Sequence, residues 1–291
     1  MKKIYILSLI FLTTLFFFSI KSFAIDKNIP QTEDEWFKAI NSLPWEDGPL
    51  VIDYSEANSS IDISNTFSVL RYEDAHQWLY WVNGTSFDTI DYYAMTDDSS
   101  QYMFFYTDSG YVKTDDWTDV DPNKFLEQIK ENYKVSNETR KQNGQAFVLD
   151  VSWKKKPFLD GVYNSVYYAL NVDWSDNTST VEGTAIILGR EGYTTAKYVG
   201  GDLGYNENML LNLSKIHKFN PTKEYKDWKA GDKVAAAGIG ALLATTLGVK
   251  YLKPGLLAVA AVFLKKFWFI IFLPFIWLFK LFSGSSKKKK S

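Results

Sequence analysis

The fold is decided by four β-rich stretches that follow one another closely: AFVLDVSW at Ala146–Trp153, SVYYALNVDW at Ser165–Trp174, VEGTAIIL at Val181–Leu188 and YTTAKYV at Tyr193–Val199. They contain many of the β-branched and aromatic residues that favour strands, and turn-forming residues separate them. Connections this short join antiparallel neighbours, because a parallel pair needs a crossover of a dozen or more residues. The segment therefore predicts an antiparallel meander.

Helices and further strands are predicted on both sides of the meander. The helices are expected from the capping-box pattern at Thr32–Glu35, over Tyr72–Trp81, from Asp121-Pro122 to about Lys141, and over Met209–Ile216. A β run at Gln101–Tyr106 is expected to turn at Asp108–Gly110 and return through Tyr111-Val112. Among the inward candidates of the strands is Leu149. No change of composition interrupts Gln31–Ala230, so we expect one α+β domain with packed helices.

The C-terminal part of the chain is strongly apolar. It reads VAAAGIGALLATTLGV at Val234–Val249, GLLAVAAVFL at Gly255–Leu264 and FWFIIFLPFIWLFKLF at Phe267–Phe282, and it ends in Lys287–Lys290. These runs predict transmembrane helices at Val234–Tyr251 and Phe267–Phe282. One crossing, by the last segment alone, is the alternative, and it leaves Val234–Val249 packed at the outer surface.

Small residues recur at every fourth position of the first of these runs. Gly240, Ala244 and Gly248 form a smooth helix face that favours close helix–helix contact in lipid, and hence self-association. The competing interpretation is a buried Ala/Gly helix in a soluble core.

The N-terminus has the features of a signal peptide. Lys2 and Lys3 precede an apolar run from Ile4 to Ile20, and Ser22-Phe23-Ala24 offers a small-x-small cleavage site. We therefore expect a signal peptide at 1–24, an exported α+β domain at 25–230, membrane-anchoring helices at 231–283 and a basic tail at 284–291. Because the apolar run is long for a signal peptide, an uncleaved anchor helix is the alternative at the N-terminus, and the middle of the chain is exported in either case.

Composition excludes several classes of function. The 32 Lys and Arg residues nearly balance 34 Asp and Glu residues, and no basic face for nucleic acid is visible. Cysteine is absent, which excludes disulfides and thiolate chemistry. The two histidines, His76 and His217, lack metal-ligand spacing and are expected at surface or capping positions. No phosphate-binding loop or nucleophile elbow occurs, and we expect no metal and no cofactor.

The order of motifs from Gly110 onward resembles one known family. The motifs are Gly110-Tyr111-Val112-Lys113, Asp115-Asp116, Asn137-x-x-Arg140-x-x-x-Gly144, Leu188-Gly189-Arg190-x-Gly192-Tyr193, Tyr225-x-Asp227 and Gly231-Asp232-Lys233-x-Ala235. This order, followed by an apolar tract, resembles the DUF2167 family of bacterial membrane-anchored proteins. The resemblance implies architecture and location, and the family has no established activity. The candidate residues of unknown role are Asp115, Asp116, Arg140, Gly189, Arg190, Gly192, Asp227 and Asp232.

Most of these motif positions are expected to be architectural. Gly144, Gly189 and Gly192 are predicted at turns, where a missing side chain allows positive φ or close approach. Arg140 and Arg190 are each predicted to hold a carboxylate or backbone carbonyls with a planar, multi-donor head group.

Two classes of function remain open. The first is a non-enzymatic envelope protein at the bacterial inner membrane, with its main domain on the periplasmic side, whose partners are the lipid bilayer and other envelope proteins. The second is a carboxylate-dependent hydrolase or ligand-binding enzyme, which a cleft joining Asp115, Asp116, Arg140 and Arg190 would favour. A pore or helical assembly built on the small-residue face is a weaker third idea.

Overall fold

The computed structural model describes residues 25–83, 89–96, 100–142, 144–202, 204–206 and 208–251. The expected signal peptide, the second predicted membrane helix and the basic tail lie outside the described residues.

The described chain is an α+β domain. Its helices are α1 (Glu33–Ser42), α2 (Tyr72–Asn83), α3 (Pro122–Gln142), α4 (Met209–Ile216) and α5 (Ile239–Thr246). Its strands are β1 (Glu46–Asp47), β2 (Leu50–Tyr54), β3 (Ser59–Ile63), β4 (Phe67–Arg71), β5 (Tyr92–Thr96), β6 (Gln101–Thr107), β7 (Val148–Asp160), β8 (Ser165–Trp174), β9 (Ser179–Leu188), β10 (Tyr193–Gly200) and β11 (His217–Phe219).

One large antiparallel sheet organises the domain. Its strand order is β1-β4-β5-β6-β10-β9-β8-β7, and a small sheet has the order β11-β3-β2. Consecutive strands β7 to β10 form the predicted meander. Strand β6 pairs with β10 from Thr107 opposite Tyr193 to Gln101 opposite Val199, and this pairing joins the two halves of the chain.

The two faces of the large sheet are covered differently. The small sheet and α4 cover one face, where a buried cluster contains Ile52, Ile61, Tyr92, Phe104, Ala185, Tyr198 and Leu210. On the other face, α1 and α2 pack over β4 and β5, while α3 and α5 pack over β7, β8 and β9. The middle strands β6 and β10 lie between these two helical patches.

The structure confirms the predicted class and several element bounds. Strand β8 has the predicted limits, and α3 begins at Pro122. The capping box of α1 is present: Glu35 N donates to Thr32 Oγ1 at 3.2 Å, and Thr32 N donates to Glu35 Oε2 at 3.3 Å.

Two local predictions for the strands are wrong. Strand β6 does not return through Tyr111-Val112, because it pairs with β5 and β10, and Tyr111 forms an isolated parallel bridge with Val234. Leu149 is 62% exposed, since an irregular register between Val148 and Asp150 turns Val148 and Val151 inward instead.

The predicted membrane helix at Val234–Tyr251 is wrong in extent and in surroundings. Only Ile239–Thr246 is helical, and these eight residues span about 12 Å against the ~30 Å of a bilayer core. Ile239 and Leu243 are fully buried in a cluster with Phe125. The buried-helix alternative is therefore correct for this segment, and the folded domain continues past the expected boundary at Ala230.

The small-residue face of this segment lies largely inside the domain. Gly240 and Ala244 are buried, and a Cβ on Gly240 would lie 2.7 Å from the Tyr251 ring. Among the helices within the described ranges, none combines the length and the apolar character that a membrane crossing requires.

Candidate functional site

A groove crosses the helix-covered face of the large sheet between α2 and α3. Its volume is about 640 Å³, inside the range of roughly 300–1,000 Å³ typical of ligand sites. It exists because neither helical patch covers the middle of the sheet. Strands β6, β9 and β10 supply its floor, the helices supply its walls, and Thr246 and Leu247 at the end of α5 border it.

The strand register brings polar and charged side chains to this floor. Lys197 of β10 lies opposite Met103 of β6 and Thr184 of β9, and Glu182 lies opposite Val199. Because side chains alternate between the two faces of a sheet, these positions share the groove face. The floor residues are Gln101, Met103, Glu182, Thr184, Lys197 and Val199.

Within the described part of the chain, the carboxyl group of Glu182 has one hydrogen-bond partner, Tyr133. Tyr133 Oη, from α3, donates to Glu182 Oε2 at 3.5 Å. Burial raises the pKa of the Glu182 carboxyl, while Lys197, the Tyr133 hydroxyl and Arg140 act in the opposite direction. Burial also raises the pKa of Tyr133. The protonated form of Glu182 is therefore favoured relative to an exposed glutamate.

The ammonium group of Lys197 has no hydrogen bond and no ion pair within 4.0 Å among the described residues. Burial lowers its pKa, and the nearby charge of Glu182 opposes that shift. Lys197 is only partly buried, but a cation that loses part of its hydration without gaining a partner is costly, and such groups are typical of functional sites.

The walls of the groove are mostly apolar. The aliphatic and aromatic lining residues are Leu79, Val82, Ile90, Phe105, Ile129, Tyr168, Leu170, Trp174 and Leu247. Arg140 also borders the groove, and its Nη1 donates to the Ala146 carbonyl at 3.0 Å while its guanidinium lies 4.9 Å from the Trp174 ring centroid. The expected role of Arg140 in holding a backbone carbonyl is confirmed. This combination suits the binding of a small molecule with an apolar body and few polar groups.

Comparison with known proteins identifies the family. The sequence model described as "Protein of unknown function (DUF2167)" matches residues 47–276. The chain belongs to the DUF2167 family. A search of curated proteins finds no match. Among solved structures, the chain is similar to the solution structure of cyanobacterial PsbP (CyanoP) from Synechocystis sp. PCC 6803, at 12% identity and a TM-score of 0.33, over 59% of this chain and 92% of that one.

The DUF2167 motif residue Asp116 holds the N-terminus of α5. Its side chain is 5% exposed, and its Oδ1 accepts a hydrogen bond from Gly240 N at 3.2 Å. The residue thus satisfies one of the unpaired N–H groups at the start of a helix from a distant part of the chain. Its neighbour Asp115 is exposed, and both border a second groove of about 450 Å³ with residues 234–238.

Arg190 and Asp232 form a two-pronged ion pair. Arg190 Nε and Nη2 donate to the Asp232 carboxylate at 2.7 and 2.8 Å, and Nη1 donates to the Thr222 carbonyl at 3.1 Å. This pair lowers the pKa of Asp232 to about 2, with help from the Lys229 N–H. The expectation that Arg190 holds a carboxylate and a carbonyl is confirmed, and the pair ties the turn after β9 to the segment before α5.

The remaining motif residues are also structural. Asp227 accepts a hydrogen bond from Glu224 N at 3.1 Å within a short 3₁₀ turn. Gly189 and Gly192 close the β9–β10 turn, where Gly189 N donates to the Gly192 carbonyl at 2.8 Å. A Cβ on Gly192 would lie 2.2 Å from the Thr107 carbonyl oxygen, so close backbone approach explains that glycine.

The motif residues do not converge on one cleft. Arg140 borders the large groove, Asp115 and Asp116 border the smaller one, and Arg190 is engaged with Asp232. The residues at the centre of the large groove, Glu182 and Lys197, were not predicted from the sequence. A usable signal existed, since each interrupts an otherwise β-forming stretch with a charge.

His217 departs from its expected surface position. It ends α4 as a cap through its backbone, but its ring is only 3% exposed and lies between Ser59 Oγ at 3.0 Å and Thr194 Oγ1 at 2.9 Å, both measured to Nε2. Burial lowers its pKa to about 3. The ring therefore joins the small sheet to the large sheet as a neutral group. Within the described ranges, no group of three acidic or histidine side chains is placed to hold a metal ion.

Proposed function

We propose that this protein is a non-enzymatic binding protein of the bacterial cell envelope. In this proposal it is held at the inner membrane with its α+β domain on the periplasmic side, and the groove between α2 and α3 binds a small ligand. The observation that carries the proposal is the groove itself, which is open between two helical patches and has at its floor the ammonium group of Lys197, for which the described residues supply no partner.

The positions of the groove residues support binding at a preorganised site. Glu182 and Lys197 lie on β9 and β10, which are paired on both sides within the large sheet. Side chains fixed on central strands keep their geometry better than side chains on loops, which lowers the entropy that binding must overcome. The groove is thus suited to recognition without a large rearrangement.

The proposed location rests on the two ends of the sequence. Met1–Ala24 has signal-peptide features, and Gly255–Leu264 and Phe267–Phe282 are apolar. Because Val234–Val249 packs into the domain, the one-crossing alternative is preferred: Phe267–Phe282 crosses, and Lys287–Lys290 lies in the cytoplasm, in line with the excess of Lys and Arg on that side of bacterial membranes.

A hydrolase that uses Glu182 is the second candidate. The raised pKa of Glu182 is the observation that favours it, because a general acid needs its proton near neutral pH. The cleft that was expected to carry such chemistry through Asp115, Asp116, Arg140 and Arg190 is not formed, which favours the binding protein.

The proposal is tested by blocking the groove. Ser136 of α3 lines the groove, whereas its neighbour Val135 is 68% exposed and does not. We expect Ser136→Trp to weaken saturable binding of the dye 8-anilinonaphthalene-1-sulfonate at least tenfold, since the indole occupies the site. Val135→Trp should leave binding unchanged. The measurement uses dye fluorescence on the full-length chain in phosphatidylcholine nanodiscs, with empty nanodiscs subtracted. Equal binding by both variants would show that the groove is not the site.

A further inference from the structure

We infer that the groove selects acidic amphiphiles, which are ligands with one anionic head group and a hydrocarbon chain. The head group pairs with the ammonium of Lys197, and the chain lies along the apolar walls. This inference rests on the proposed binding function and adds to it the chemical class of the ligand.

The charges of the groove favour an anion. Among the described residues, its charged lining side chains are Lys197, Arg140 and Glu182, which gives two cationic groups for one carboxyl group. Arg140 is engaged by the Ala146 carbonyl and the Trp174 ring, whereas Lys197 has no such partner among the described residues. An incoming anion therefore supplies the hydrogen-bond acceptor that Lys197 lacks, and in a site shielded from water such a contact is stronger than in solvent.

Glu182 opposes this preference less than an exposed glutamate would. Burial raises the pKa of its carboxyl group, which weakens the tendency of that group to be ionised beside Lys197. When it is protonated, the carboxyl group has an O–H that donates to an anionic oxygen placed at Lys197. A cationic ligand would meet Lys197 and Arg140 with only this one acidic side chain to receive it.

The apolar walls of the groove favour a hydrocarbon chain as the rest of the ligand. Leu79, Ile90 and Met103 continue from the charged floor toward α2, and Ile129, Leu170 and Leu247 line the side toward α3 and α5. Burial of a hydrocarbon chain contributes about 0.8 kcal/mol per methylene. The groove therefore offers an apolar path on both sides of Lys197.

The groove also lies close to the apolar end of the chain. Asn132 Nδ2 donates to the Gly248 carbonyl at 2.9 Å, and Gln128 Oε1 accepts from Lys250 N at 3.0 Å, so the segment after α5 is fixed along α3 beside the groove. The proposed membrane crossing begins at Phe267, sixteen positions after Tyr251, which is a reach of at most ~58 Å for an extended chain. This tether would hold the site within that distance of membrane amphiphiles.

The methionines give a direct readout of ligand class. The chain has four, and Met103 lines the groove while Met209 lies on the opposite face of the sheet. Full-length protein labelled with ¹³C-methyl methionine in phosphatidylcholine nanodiscs is titrated with octanoate, octyl phosphate or octylamine. We expect octanoate and octyl phosphate to shift the Met103 signal saturably, with octylamine at least tenfold weaker and Met209 unaffected.

Substitution of Lys197 separates the inference from the proposed function. Lys197→Gln should remove the preference for the acidic probes, whereas Lys197→Arg should retain it, and an unchanged Met209 signal shows that each variant is folded. Each probe partitions into the bilayer to the same extent for every variant, so this partition cancels when the variants are compared with the same probe. A preference for octanoate over octyl phosphate would point to fatty acids as the source, and the reverse to lipid phosphates. Equal response to octylamine would overturn the inference and leave ligand binding intact, whereas no response to any probe would overturn it outright.

Discussion

Arg190 and Lys197 differ in whether their charged groups have protein partners. Arg190 satisfies its guanidinium with Asp232 and the Thr222 carbonyl, although its side chain is only 16% exposed. Lys197 is placed on a central strand with no such partner among the described residues. The ion pair of Arg190 stabilises the fold, whereas the ammonium group of Lys197 is available to pair with a ligand in the groove.

The structural role of Arg190 predicts a loss of stability on its replacement. Arg190→Met leaves the Asp232 carboxylate without its guanidinium partner, and we expect the midpoint of urea unfolding to fall. The matched control is Lys226→Met, whose exposed pair with Glu224 should change the midpoint much less. Urea unfolding followed by tryptophan fluorescence gives both values. Unchanged stability together with lost ligand binding would assign Arg190 to the site instead.

The residues of the groove could not be predicted from the sequence in the way that Arg190 could. The ordered motifs singled out Arg190, and the geometry of its head group made a carboxylate or carbonyl partner a sound expectation. Glu182 and Lys197 each place a charge in a β-forming stretch, but their common position in a groove follows from where α2 and α3 leave the sheet uncovered. That gap depends on contacts between distant segments, such as the pairing of β6 with β10, which local periodicity does not encode.

At the scale of elements, the periodicity of apolar residues and the positions of turn residues predicted the meander correctly, but they did not predict the extent or the surroundings of α5. Strand β8 has a pronounced β composition and clear turns, so its limits followed directly. The Ala-, Gly- and Leu-rich segment at Val234–Val249 has the same composition whether it is buried in lipid or in protein. Only its contacts with Phe125 and Asp116 decide between the two.

The docking of α5 predicts a specific effect of Asp116. Asp116→Ala removes the acceptor for Gly240 N and opens a cavity beside Gly238, and we expect a loss of about 0.5–2 kcal/mol in the free energy of unfolding. The control is Asp115→Ala, which changes an exposed neighbour and should alter stability by less than about 0.5 kcal/mol. Hydrogen exchange should show faster exchange of the α5 amides in the first variant alone. Equal exchange in both would mean that Asp116 does not hold the helix.

At the scale of the whole molecule, the proposed account combines three features. A leader-like N-terminus and an apolar C-terminal tract are the basis for the proposed membrane location, the large sheet fixes the charged floor, and the two helical patches leave that floor accessible. These features come from different parts of the sequence. The proposed location is wrong if the domain stays in the cytoplasm, and the proposed binding function is wrong if the groove is closed.

Both possibilities are tested by one labelling measurement that exploits the absence of cysteine. Gln101→Cys places a single thiol on the groove floor, and Val135→Cys places one on the exposed side of α3. Spheroplasts that express the full-length chain are treated with a membrane-impermeant maleimide, before and after lysis. The account predicts that both thiols are labelled in intact spheroplasts and that octanoate protects only the thiol at position 101. Labelling of neither thiol until lysis, or of position 135 alone, would contradict it.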